Sequence, residues 1–174
     1  VSRGLGDVYK RQVEIKFYSG DNLIDKYDFA LKSRESNAEN IQGFNTSDVM
    51  YLITPDRFSN GDPSNDDVEY MRERPDREDD FGLHGGDIKG VIDNLDYIKE
   101  MGFTTVWLNP VLENNMERAS YHGYSTTDYY KIDPRFGTNE LFKELGLKAK
   151  EMNVKLVMDM IPNHCGSFHW FFID

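Results

Sequence analysis

At 174 residues, 39% apolar and 13% aromatic, the chain has the material for one domain with a real core and is not composed like a disordered segment. Acidic residues outnumber basic ones 31 to 20 and the formal charge is −11, which argues against a nucleic-acid backbone or an anionic membrane surface as partner. No apolar run approaches the roughly 20 residues of a membrane helix, and residues 1–12 lack the apolar core of a secretion signal.

Residues 1–12 are net basic on an acidic chain and show no sustained periodicity; they read as a non-native scar, the alternative being an ordinary linker. Alternation of Val13, Ile15 and Phe17, a Gly20-Asp21-Asn22 turn, and then Leu23, Ile24, Tyr27, Phe29 and Leu31 predict a β-hairpin. A polar linker over 32–42 follows, so residues 13–47 are expected to be the end of a small N-terminal β domain, since two strands alone are marginal. From Asp48 the pattern becomes regular. Val49 to Thr54 predicts a buried strand stopped by Pro55, and Ile88, Val91, Ile92, Leu95 and Ile98 predict one helix closed by Gly102. Thr104 to Leu108 is the second predicted strand. Thr138 is the predicted cap of a helix carrying Leu141, Phe142, Leu145, Ala149 and Met152 on its apolar face, and Val154 to Met158 is the third strand. Strands alternating with helices predict an α/β fold with a parallel sheet and right-handed crossovers.

The segments after the strands, Pro55 to Asp87, Asn109 to Gly137 and Ile161 onward, are long, whereas those after the helices are only about two or three residues. Chemistry-bearing residues therefore gather at the carboxyl ends of the strands, the functional face of a barrel or an open α/β sheet. Three strands cannot close a barrel, so completion is expected from residues outside this sequence.

In the first long segment Asn60, Asp62, Asn65 and Asp66 are oxygen donors spaced around Gly61 and Pro63, a composition that suits a hard cation wanting six to eight oxygens. Read alone, the segment is better taken as a solvated Asn/Asp/Gly turn. Gly85-Gly86-Asp87 can add a carbonyl and a carboxylate, or Asp87 can simply cap the helix at Ile88. In the second segment, Tyr121-His122-Gly123-Tyr124, followed by Asp128, Tyr129 and Tyr130, offers aromatic faces beside hydrogen-bonding groups, as sugar rings require; loop packing is the alternative. Asn163 and His164 have no further His or Cys at ligand spacing, which disfavours a transition metal. The single Cys165 excludes an internal disulfide and leaves the compartment open.

Four motifs, in order, resemble the α-amylase family, glycoside hydrolase family 13: His84-Gly85-Gly86-Asp87-Ile88-Lys89-Gly90, Tyr121-His122-Gly123-Tyr124, Asp133-Pro134-Arg135-Phe136-Gly137-Thr138 and Asp159-Met160-Ile161-Pro162-Asn163-His164. The loop from Asp56 to Asp66 is most similar to the neopullulanase, cyclomaltodextrinase and cyclodextrin glucanotransferase branches. The resemblance implies that residues 48–174 are the N-terminal part of a catalytic TIM (β/α)8 barrel, truncated after its third strand, and that residues 13–47 end a β-sandwich domain.

By resemblance, Asn60, Asp62, Asn65, Asp66, the Gly85 carbonyl and Asp87 match calcium (Ca2+) ligands. Tyr124 matches the tyrosine stacked under the sugar at the cleavage subsite, His122 a neighbouring polar contact, His164 the histidine bonded to that sugar's primary hydroxyl, and Asp159 the aspartate that orients an arginine near the nucleophile. Asn163 matches a ligand of a second calcium in many α-amylases but not in the neopullulanase-like branch. The implied activity is retaining cleavage or transglycosylation of α-1,4 or α-1,6 bonds in starch, pullulan or cyclodextrins, with an α-glucan as partner. Retention needs two carboxyl groups about 5 to 5.5 Å apart. None of the matched residues corresponds to that pair, so no catalytic residue is assigned and the chain alone is expected to be inactive. The alternative is a non-catalytic glucan-binding or transporter-associated relative. Export of a saccharolytic parent to the extracellular or periplasmic space is compatible with this reading.

Overall fold

The computed structural model describes residues 12–31 and 43–173, so the readings of residues 1–11 and 32–42 lie outside it. Two compact units divide at Gly43 and Phe44. In the first, β1 (Gln12–Ser19) and β2 (Asn22–Ala30) form the expected antiparallel hairpin, with Gly20 at φ +58 in the turn. Gln12 already pairs with Ala30, so the strand begins one residue before the expected boundary. Register shifts between Phe17 and Tyr18, which leaves Ile24 as the extra residue of a bulge. Val13, Ile15, Phe17, Tyr27 and Phe29 are all exposed, an apolar hairpin face with no described strand over it.

The second unit is built on three parallel strands, β3 (Met50–Ile53), β4 (Thr105–Leu108) and β7 (Lys155–Met158), lying side by side in chain order. Each is four residues long, and Met50, Thr105 and Lys155 share one row while Ile53, Leu108 and Met158 share another. Ile53, Val106 and Leu108 bury one sheet face against Ile88, Val91, Ile92, Leu95 and Ile98 from the first crossover and Leu145 and Ala149 from the second. Side chains alternate across a strand, so Leu52 and Trp107 point to the opposite face, where both are exposed. A sheet that advances strand by strand with both crossovers on one face is the start of a barrel rather than of a doubly wound sheet, whose order reverses.

At the amino ends of the strands, one carboxylate ties all three. Asp48, just before β3, accepts the Thr104 hydroxyl at 2.8 Å, the Lys155 ammonium at 2.7 Å and the Asn45 amide at 2.7 Å. Lys155 first, then these neutral donors, hold its carboxyl down at about 2.

One expectation is corrected, and one segment holds structure the sequence did not show. The single helix over Ile88 to Ile98 is two, α1 (Ile88–Asp93) and α2 (Leu95–Glu100). The cause is Asn94, whose side-chain amide donates to the Gly90 carbonyl at 2.8 Å, the acceptor its own backbone N–H would use in a continuous helix. The segment 109–137 is not all loop: β5 (Leu112–Glu113) and β6 (Asp128–Ile132) pair antiparallel across it. The last helix, α3 (Asn139–Glu151), is as read, with the Thr138 hydroxyl accepting from Leu141 N at 3.1 Å. No described helix is long and apolar enough to cross a membrane.

Candidate functional site

The segments leaving the carboxyl ends of β4 and β7 meet on one rim. Ser120–His122 is a single 3-10 turn, entered by Ala119 in the left-handed region (φ 60, ψ 28) and left through Gly123 at φ +79. A Cβ at Gly123 would stand 1.9 Å from the Pro110 carbonyl oxygen, so only glycine lets the chain turn this close to the end of β4. The turn delivers Tyr124, whose hydroxyl donates to Asp159 Oδ2 at 3.0 Å just beyond β7. Tyr124 N donates to His122 Nδ1 at 2.9 Å, and His164 Nε2 donates to the Tyr124 carbonyl at 2.9 Å. The four residues matched to a sugar subsite, Tyr124, His122, Asp159 and His164, thus form one hydrogen-bonded cluster drawn from two strand ends.

The electrostatics suit neutral recognition groups. Burial lowers the His122 pKa, partly opposed by nearby Glu73, which favours the neutral ring whose Nδ1 accepts from Tyr124. Burial and then the Asp159 bond raise the Tyr124 phenol, keeping it a donor. Tyr121, grouped with Tyr124 by sequence, has another job: the Arg57 guanidinium lies 4.1 Å from its ring centroid. Tyr129 also supports the rim, donating to the carbonyls of Ile161 at 3.1 Å and His164 at 2.6 Å. Asn163 is exposed and its amide donates to His164 Nδ1 at 3.3 Å.

The oxygen-rich loop after β3 folds onto the start of α1. Asp87 is completely buried and both readings of it share the same atoms: its carboxylate accepts from Gly90 N at 2.6 Å as a helix cap, and also from Gly61 N at 3.0 Å, Asp62 N at 2.8 Å and Asn65 Nδ2 at 3.3 Å. Asn60 Nδ2 donates to Asp66 Oδ1 at 2.7 Å, while Asn60 Oδ1 and Asn65 Oδ1 are buried with no partner. Two amide oxygens orphaned in one loop are the kind of acceptor a hard cation satisfies. Gly85, at φ +87, has room only for hydrogen, because a Cβ would lie 2.7 Å from the Asp66 carboxylate. The donor set therefore fits calcium in kind. Among the described residues no group of three or more His, Cys, Asp or Glu converges on a metal position.

Several site residues escaped the sequence reading. Asp56 is buried, pairs with Arg57, and accepts from His84 N at 2.9 Å and Gly85 N at 3.1 Å; Arg57 also donates to the carbonyls of Asp80 at 2.8 Å and Gly82 at 2.9 Å. The motif at Asp133 to Thr138 contains a buried ion pair, Arg135 to Asp133 at 2.9 and 2.8 Å, that also holds the Asn114 carbonyl at 2.9 Å. Glu73 is buried in the first rim segment with no motif to mark it.

The family description "Alpha amylase, catalytic domain" matches residues 52–174. The chain is 42% identical over 132 residues to a cyclomaltodextrinase of Thermoanaerobacter pseudethanolicus, covering 74% of this chain and 22% of that protein. It is 40% identical over 129 residues to neopullulanase 2 of Thermoactinomyces vulgaris, covering 72% of this chain and 21% of that protein. The crystal structure of an Anoxybacillus α-amylase superposes with a TM-score of 0.65 at 44% identity, over 73% of this chain and 26% of that one. The chain thus spans roughly a fifth to a quarter of the length of these three relatives.

Proposed function

The chain belongs to the α-amylase family, and from that premise we propose that it is the substrate-orienting part of a retaining enzyme acting on α-glucans, either hydrolysing or transferring the cleaved sugar. The observation that carries this is the Tyr124, Asp159, His122 and His164 cluster at the carboxyl ends of two neighbouring barrel strands. In this reading the Tyr124 ring lies under the sugar at the cleavage subsite, fixed at its hydroxyl by Asp159 and at its carbonyl by His164. His122 would offer its ring Nε2 to a sugar hydroxyl, and His164 would do so by exchanging one of the contacts its ring makes here with the Tyr124 carbonyl and the Asn163 amide. Aromatic stacking on the apolar C–H face combined with a few placed polar groups is how a pocket both binds and orients a sugar.

Asn60, Asp62, Asn65, Asp66, the Gly85 carbonyl and Asp87 would hold calcium, and the orphaned amide oxygens of Asn60 and Asn65 support that assignment. When bound, the ion supplies positive charge that offsets the loop carboxylates and fixes the loop.

Reacting carboxylates are not assigned to this chain, and the 174-residue polypeptide by itself is proposed to have no turnover. The test uses the chain extended to the full length of its relatives, assayed on cyclodextrin, pullulan and starch, with the first product's anomer read by NMR. Turnover giving the α-anomer, together with none from the 174-residue chain, is expected. Glucan affinity without turnover by the extended protein would instead identify a non-catalytic relative, and turnover by the short chain would overturn the division of labour.

A further inference from the structure

Glu73 lies in the first rim segment, 47 residues before Ser120, yet its side chain is part of the second. It is 8% exposed, and its two carboxylate oxygens accept from successive backbone amides, Ala119 N at 2.9 Å and Ser120 N at 2.7 Å. Its own carbonyl accepts from Arg135 Nη1 at 3.4 Å, and Arg135 is locked by the buried Asp133. The carboxylate thus rests on an anchored base and grips the entrance of the turn that carries Tyr121, His122, Gly123 and Tyr124. A non-glycine residue in the left-handed region persists only where its surroundings enforce it, and Ala119 sits at φ 60 between those two bonds. A carboxylate on the free N–H groups at the head of a turn is also the favourable charge for that position.

We propose that Glu73 is a positioning residue for the α-glucan site, shaping the Ala119–His122 turn so that His122 and Tyr124 face the sugar. This rests on the reading of Tyr124 as the stacking residue. Glu73 touches no reacting atom; it acts through the turn. Replacing it by glutamine keeps the size but presents an N–H2 group to one of the two amide donors, so one bond is lost and a clash of donors is gained.

In the extended protein acting on maltoheptaose, Glu73→Gln is expected to lower kcat about tenfold or more with KM changed far less, because misplacement at the cleavage subsite of a long substrate is felt in the chemical step. Glu73→Asp should recover part of the loss. Ala119→Gly in the Glu73→Gln background should recover part as well, since glycine takes the left-handed conformation unaided. Unchanged kcat in Glu73→Gln, or a loss fully accounted for by the fraction unfolded at the assay temperature, would overturn the proposal. Hydrogen exchange separates this from the site's identity. Faster exchange of the Ala119 and Ser120 amides in Glu73→Gln supports the clamp, and unchanged exchange overturns it. If the wild-type protein turns over no α-glucan, the functional reading falls and the positioning role with it, while exchange still decides whether the clamp exists.

Discussion

Asn60 and Asn65 carry the argument for an ion at the level of single residues. A buried amide oxygen without a donor costs about 1–3 kcal/mol, and this loop holds two of them beside the carboxylates of Asp66 and Asp87. An ion that binds the folded state alone stabilises it by mass action. The extended protein should therefore gain several degrees in Tm at saturating calcium, and Asn60→Ala with Asn65→Ala should abolish most of that gain. A calcium response identical in the double variant would show that the ion, if bound, sits elsewhere. Tyr124, Asp159 and His164 could be singled out in the sequence because each lies in a segment following a strand and inside a recognisable motif. Sequence reading was blind to Glu73, whose neighbours from Glu69 to Asp80 form a run of mixed charges with nothing to distinguish the one carboxylate that turns inward. Long-range pairing of that kind leaves no local pattern.

At the scale of elements, the three strands were legible because short β-branched and aliphatic runs between turn residues leave little choice, and α3 because Thr138 caps a clear apolar stripe. The break at Asn94 was not, since helical periodicity continues through it and only a side-chain bond to Gly90 interrupts the backbone ladder. The β5 and β6 pair was missed because β5 is only two residues long and β6, Asp128–Ile132, shows no strict apolar-polar alternation. What holds the strands in register at their amino ends is Asp48. Its folded carboxyl sits near 2, against about 3.9 unfolded, so its contribution is complete above the unfolded value and is lost as pH falls through the folded one. The Tm of Asp48→Asn should accordingly lie below wild type at neutral pH, and the two curves should converge between about pH 4 and pH 2. Curves that stay parallel across that range would mean that ionisation of Asp48 does not contribute to the stability of the folded state.

Across the barrel unit the two ends of the sheet have different work. The amino end is closed by Asp48, whereas the carboxyl end gathers the rim segments, joined by Glu73 and by Arg57 against Tyr121. Stability residues at one end and the proposed recognition residues at the other is the division expected of a (β/α)8 barrel. Leu52 and Trp107 on the opposite sheet face, and Phe171 and Phe172 beyond β7, are exposed. The central claim is that the rim around Tyr124 is an α-glucan subsite. Its most direct test is a crystal structure of the extended protein, with its reacting carboxylates neutralised, soaked in maltoheptaose. One glucose ring stacked on Tyr124, with its primary hydroxyl within hydrogen-bond reach of His164, is the predicted result; sugar bound elsewhere with the Tyr124 ring bare would contradict it.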